Sequence, residues 1–201
     1  MTLSELELDA LAEIFNVGVG QAANSLSQLA GSPVRLNVPE VRMLAKRQIT
    51  EELANQGADR ICAVRQEFAG VFETEAVLMF PVQQSLQLVQ MMVGSDVPLE
   101  QLGEMEQEAL AEVGNILLNA VVSGVADMLK MEFEGSLPSV DLGPVGQVLC
   151  GDGSEEALVL SLQIDFTIDA MAIQGYLAFL LDVASVGALE RKVAAFLESL
   201  S

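Results

Sequence analysis

The sequence predicts a mixed fold of helices and β-hairpins assembled from two like halves. Three observations predict it: the chain repeats itself at an offset of 99 residues, each half shows the same order of helical and extended stretches, and each half opens on a long amphipathic helical segment. Sliding the 201-residue chain by that offset lays Leu3, Glu5, Glu7, Ala10, Leu11, Ala12, Glu13, Asn16, Pro39 and Val41 on Leu102, Glu104, Glu106, Ala109, Leu110, Ala111, Glu112, Asn115, Pro138 and Val140. These are 10 identities in 39 ungapped positions, and Asp9 meets Glu108. An internal duplication is the simplest cause. It divides one domain into repeats of about 1–97 and 98–201, with Gly94–Leu102 as the seam.

The elements follow in order. A helix runs from about Ser4 to Leu29, and its counterpart from Glu104 to Lys130. Acidic residues crowd each first turn, where the helix dipole favours them. A short extended stretch carrying Pro39 or Pro138 comes next. Ile49–Gln56 reads as a small helix in the first half only, because the matching Gly143–Ser154 is glycine-rich and reads as loop. Two strand-like runs follow in each half: Arg60–Ala69 with Val71–Phe80, and Ala157–Ile168 with Met171–Leu181. Gly70 and the Asp169-Ala170 step stand where the hairpin turns fall. Helices over Val82–Val93 and Val183–Leu200 close the halves.

At ~100° per residue, Asp9, Glu13 and Asn16 share one face of the first long helix with Gly20, Asn24 and Ser27. Leu11, Phe15, Gly18, Ala22, Leu26 and Leu29 form the core stripe opposite. In the second helix Glu108, Glu112, Asn115, Asn119, Ser123 and Ala126 share the outward face. Leu110, Gly114, Leu117, Val121, Val125 and Met128 lie behind it. Both Glu/Asn pairs therefore point away from the core. Past Glu13 the outward face carries small neutral residues, and around Asn119 it holds Val122, Ser123 and Ala126. Such a low surface suits close docking, with another chain or between the two helices. An isolated Glu and Asn at this spacing is commonplace; two copies at equal offset are not.

Composition narrows the function. Lys+Arg number 9 against 29 Asp+Glu, for a net charge of −20. That charge repels phosphates and anionic headgroups, which argues against a nucleic-acid partner. The chain has no histidine, so Ser-His-Asp and Cys-His sites, histidine metal ligands and a phospho-histidine relay are excluded. Cys62 and Cys150 are too few for a disulfide scaffold or a four-thiolate zinc site and read as reduced core thiols. The uncharged run Ile14–Val34 is too polar, and Ala170–Leu181 too short, for the ~20 residues of a membrane span. The N-terminus lacks the positive flank and apolar run of a signal peptide, so a cytoplasmic protein is expected.

Asp9-x3-Glu13-x2-Asn16-x22-Pro39 and Glu108-x3-Glu112-x2-Asn115-x22-Pro138 resemble the signature of the CheC/CheX/FliY family of response-regulator phosphatases. The surrounding Glu13-Ile14-Phe15-Asn16-Val17 and Glu112-Val113-Gly114-Asn115-Ile116 fit the same pattern. Two signatures in a chain of this length resemble CheC more than CheX, which usually keeps one, or FliY, which carries a further flagellar-switch domain. The resemblance implies an α+β fold: a pseudo-twofold pair of repeats with an antiparallel sheet under two long antiparallel helices. It implies a phosphorylated CheY-like receiver as substrate, with Mg²⁺ on that receiver and no cofactor or metal in this chain. Glu13 and Glu112 would each pair with the receiver's active-site lysine, and Asn16 and Asn115 would each orient the attacking water. Asp9 and Glu108 would support the sites, and Pro39 and Pro138 would serve structure.

The chemistry suits these residue types. An acyl phosphate is reactive already and lacks only an oriented nucleophile. A neutral amide can hold a water without setting negative charge beside the phosphoryl group. A carboxylate meeting a lysine gives a charge-assisted, directional bond. Because Asn119 replaces Gly20, the first groove reads as the more open and the first site as the better one. The alternative function is a non-catalytic adaptor binding a receiver, a flagellar-switch protein or a CheD-like deamidase, as monomer or homodimer. Asp152, Glu155 and Glu156 lack the spacing of a calcium loop, and Gly18-x-Gly20 lies inside a helix, where it cannot bind a dinucleotide. Arg42, Lys46 and Arg47 form the one basic cluster, read as a surface patch and a candidate docking spot for an acidic partner.

Overall fold

The computed structural model describes residues 3–93, 104–151, 153–168 and 171–199. The expected seam at 94–102, Asp152 and the Asp169-Ala170 turn lie outside the described residues. The first half comprises α1 (Glu5–Ala30), β1 (Val34–Ala45), α2 (Lys46–Asn55), β2 (Arg60–Gly70), β3 (Thr74–Pro81) and α3 (Val82–Val93). The second follows the same order with one strand split: α4 (Glu104–Leu129), β4 (Phe133–Gly135), β5 (Ser139–Pro144), α5 (Val145–Cys150), β6 (Leu158–Ile168), β7 (Met171–Leu180) and α6 (Val183–Ser199).

The fold is α+β, with an antiparallel sheet covered by helices. The strand order is β1-β6-β7-β3-β2-β4, and β5 also pairs with β2. The halves exchange edge strands: β1 pairs with β6, and β4 and β5 pair with β2. Strand alternation then sorts side chains to two faces. Cys62, Val64, Leu78, Phe80, Leu160, Leu162 and Leu177 face the long helices α1 and α4. Ile61, Ala63, Val77, Met79, Val159 and Tyr176 face the other way, onto Ile49 and Leu53 of α2 and Val145, Val148 and Leu149 of α5.

That second helical layer corrects the reading of Gly143–Ser154 as loop. Val145, Val148 and Leu149 supply an apolar turn that packs against α2, which outweighs the glycines around it. The first hairpin turn also moves. Gly70 is the last residue of β2 and pairs with Phe133, so the turn spans residues 71–73.

Helix α1 starts where the sequence places it. The Ser4 hydroxyl accepts from the Glu7 backbone N–H, and the Glu7 carboxylate accepts from the Ser4 N–H at 2.7 Å, a reciprocal capping box. The core stripe of α1 is buried from Leu11 to Leu26, but Leu29 is exposed at the helix end. On α4, Val122 and Ala126 are buried rather than outward, because α4 has neighbours on more than one side. The close approach between the long helices uses Gly18 and Gly124 on their inner faces. A Cβ on Gly18 would lie 2.8 Å from the Val121 Cα, and one on Gly124 2.9 Å from the Gly18 Cα. Gly20, on the outer face, has nothing within 4 Å.

The segment Gln107–Leu129 is long and apolar enough to cross a membrane by composition. More than half of it is buried in the fold, where Gly114 lies against Val64 and Leu117 and Val121 join the core. It is placed as a core helix.

Candidate functional site

The two prolines of the repeated pattern sit on the two edges of the sheet. In β1 the register steps from Asn37↔Asp165 to Glu40↔Gln163, so Val38 and Pro39 together oppose Ile164. This is a β-bulge at a residue that has no N–H to offer the ladder. At the other edge, Gly135 pairs with Phe68 and Ser139 with Arg65, so Ser136, Leu137 and Pro138 oppose Gln66 and Glu67. That bulge is wide enough to divide β4 from β5.

Asn16 serves the first bulge. Its Oδ1 accepts from the Val38 N–H at 2.9 Å, and its Nδ2 donates to the Val38 carbonyl at 3.1 Å and to the Ala12 carbonyl at 2.9 Å. Val38 is 2% exposed and, inside the bulge, has no ladder partner, so the asparagine satisfies both of its backbone groups. The 22 residues between Asn16 and Pro39 thus have a structural cause: a helix asparagine plugs the bulge immediately before the proline.

The second asparagine is held differently. The Asn119 Nδ2 donates to the Asn115 Oδ1 at 2.8 Å and to the Asn115 carbonyl at 2.7 Å. Among the described residues no acceptor meets the Asn115 Nδ2. Residue Leu137, the counterpart of Val38, is 91% exposed. Its bulge is closed by Ser136 instead: Ser136 N–H donates to the Glu67 carbonyl at 2.8 Å, Glu67 N–H donates to the Ser136 Oγ at 3.0 Å, and Gln66 Nε2 donates to the Ser136 carbonyl at 2.8 Å. Asn119 therefore faces the sheet and engages Gln66, rather than only adding bulk to an outward groove.

Asp9, Glu13, Glu108 and Glu112 are exposed on the same helix faces as the asparagines. Among the described residues neither Glu13 nor Glu112 makes a hydrogen bond or ion pair, so both carboxylates are available to a partner. A surface cleft of about 580 Å³ gathers Asp9, Glu13, Asn16 and Pro39 beside Phe196 and Leu197 of α6. The structure thus brings the first-repeat positions together on one cleft. Glu108, Glu112 and Asn115 share a face of α4, and Pro138 lies in the facing bulge.

The basic cluster is not a free patch. Arg42 is paired with Glu40 and Glu52, Arg47 with Glu51 and Glu156, and Lys46 is 9% exposed. Carboxylates raise the Arg42 and Arg47 guanidinium pKa further, through the hydrogen bonds to Glu52 and Glu51 first. Gln66 has one signal in the sequence: by strand alternation it is a polar residue on the same face as the apolar Cys62, Val64 and Phe68. Both cysteines are free, and burial pushes the Cys62 thiol up to about 12.

The chain is 28% identical over 151 residues to the CheY-P phosphatase CheC of Bacillus subtilis (strain 168), covering 73% of this chain and 71% of that protein. It is 25% identical over 191 residues to the flagellar motor switch phosphatase FliY of the same strain, covering 91% of this chain and 50% of FliY. The crystal structure of Thermotoga maritima FliY matches with a TM-score of 0.80 at 20% identity, over 98% of this chain and 100% of that one. A chain of the FliG-FliM complex from H. pylori matches at 0.71 and 11% identity, over 94% of this chain and 100% of that one. No protein-family model matches. The sequence likenesses support the CheC/FliY family, and the structural ones give its fold.

Proposed function

We propose that this chain is a cytoplasmic protein-aspartyl-phosphate phosphatase that acts on a CheY-like receiver in chemotaxis or another two-component pathway. The work is carried by Glu/Asn pairs on two repeats of one domain. The observation that carries the reading is the placement of Glu112 and Asn115: an exposed carboxylate one turn before an amide whose Nδ2, like that carboxylate, meets no partner among the described residues. The names of the CheC and FliY relatives support the same activity.

In this reading Glu13 or Glu112 meets the receiver lysine and fixes the pose. Asn115 enters the receiver pocket and holds a water in line with the phosphorus, while Mg²⁺ on the receiver neutralises the phosphoryl oxygens. Hydrogen bonding ranks the sites opposite to groove width. Asn16 must release three hydrogen bonds to reach a partner, at about 0.5–1.5 kcal/mol each. Asn115 has no such debt on its Nδ2. The second site is therefore the more active one.

The test is the decay of a phosphorylated CheY-like receiver with Mg²⁺, with and without the protein. Glu112→Ala/Asn115→Ala is expected to remove most of the acceleration and Glu13→Ala the smaller part. Unchanged decay alongside measurable binding moves the conclusion to the adaptor reading. That second reading has its own support in the FliM fold neighbour, which is solved in complex with FliG.

A further inference from the structure

We propose that Asn119 and Gln66 are positioning residues that fix the Asn115 amide for catalysis at the second site; this rests on the phosphatase reading above. An amide that orients water must itself be oriented, because a misplacement of about 1 Å can cost ~100-fold. One nitrogen, Asn119 Nδ2, spans both the backbone and the side-chain oxygen of Asn115, at 2.7 and 2.8 Å. That contact sets the plane of the Asn115 amide and leaves its Nδ2 directed elsewhere.

Asn119 has its own support. Gln66 faces it amide to amide, Nε2 to Oδ1 at 3.4 Å and Oε1 to Nδ2 at 3.5 Å. Gln66 is 2% exposed on β2 and is anchored by the 2.8 Å bond from its Nε2 to the Ser136 carbonyl. Gly135 leaves the space the pair occupies: a Cβ there would lie 2.9 Å from the Gln66 Nε2 and 3.1 Å from the Asn119 Oδ1. The relay therefore links α4, β2 and the proline bulge in one polar chain, and among the described residues it has no counterpart in the first repeat. There Gly20 stands in place of Asn119, with nothing within 4 Å, and Asn16 is held by the β1 backbone instead.

The experiment uses the full chain carrying Glu13→Lys, which silences the first site while keeping the Asn16–Val38 bonds. The decay of a phosphorylated CheY-like receiver with Mg²⁺ is followed against protein concentration, giving a maximal rate and a half-saturating concentration. Asn119→Ala, and Asn119→Asp of the same shape, are expected to lower the maximal rate roughly tenfold or more, with half-saturation shifted less than about twofold. Gln66→Leu is expected to act in the same direction. The relay is overturned if Asn115→Ala abolishes the acceleration but both Asn119 variants keep the full maximal rate. It is equally overturned if they shift half-saturation alone. A Glu13→Lys parent that does not accelerate decay overturns the second-site reading and the relay together.

Discussion

Asn16 and Val38 are joined by a two-way hydrogen bond between one side-chain amide and one backbone unit, at 2.9 and 3.1 Å. The pair ties α1 to the edge strand β1 where Pro39 interrupts the ladder. It makes the first asparagine of the repeated pattern a structural residue whatever else it does.

Removing it therefore has a stability cost that its counterpart lacks. Asn16→Ala is expected to leave the buried Val38 N–H and C=O unmet and to destabilise by about 2–4 kcal/mol, at ~1–3 kcal/mol per unmet group. Asn115→Ala is expected to cost under about 1 kcal/mol, since its loss strands only part of the Asn119 amide. Urea unfolding of the two variants checks this; equal midpoints would count against the clasp.

Two glycines, two residues apart on α1, are expected to respond with opposite sign. Gly18→Ala drives a methyl onto the Val121 backbone and is expected to destabilise by about 1–3 kcal/mol. Gly20→Ala meets open space and is expected to stabilise by roughly 0.5–1 kcal/mol through helix propensity. Thermal unfolding of both variants gives the signs directly.

The cysteines are expected to separate by reactivity. Burial, and then Asp141, raise the Cys62 thiol to about 12, so it stays protonated and shielded in the folded chain. A thiol reagent at pH 8 is expected to modify Cys150, which is part-exposed, and to reach Cys62 only on unfolding. The linkage follows in sign. The folded-state value is raised, so this contribution is fully present below the unfolded thiol pKa of ~8.5 and is lost as pH rises toward about 12. Cys62→Ala would remove that alkaline dependence.

The capping box is expected to titrate at the acid end. Hydrogen bonds from the Ser4 backbone and hydroxyl hold the Glu7 carboxyl below its usual range. A lowered value means the contribution is present above the unfolded pKa of ~4.3 and fades as pH falls through the folded value. Ser4→Ala is expected to cost about 0.5–2 kcal/mol at neutral pH, and the gap to the parent should narrow in acid. A gap that is constant from pH 7 to 3 would contradict the role of Glu7.

Much of the fold was legible because its signals are local. Ser4 and the acidic turn after it mark the start of α1, and the 3.6-residue apolar stripe carries it to the expected end within a residue or two. The strands β6 and β7 were equally plain. Misreadings fell where a neighbour from the other half decides the outcome. Gly70 stays in β2 because β4 pairs with it, and α5 forms because α2 covers it. Arg42 and Arg47 of the basic cluster are paired with carboxylates that include Glu156, distant in sequence from Arg47.

The sequence by itself determined the 99-residue offset of its identities, the amphipathic character of the two long helices, the exposure of Glu13 and Glu112 and the exclusion of histidine chemistry, since periodicity and composition are properties of the chain alone. Only the tertiary structure decided how the two asparagines are used. That depends on which backbone groups each bulge leaves unpaired. At the β1 edge the orphan groups of Val38 capture Asn16. At the β4/β5 edge Ser136 closes the bulge first, so Asn115 is left to Asn119, which Gln66 supports in turn. An unmet buried hydrogen bond costs more than either arrangement, and its partner is chosen by strand register, which the local sequence does not encode.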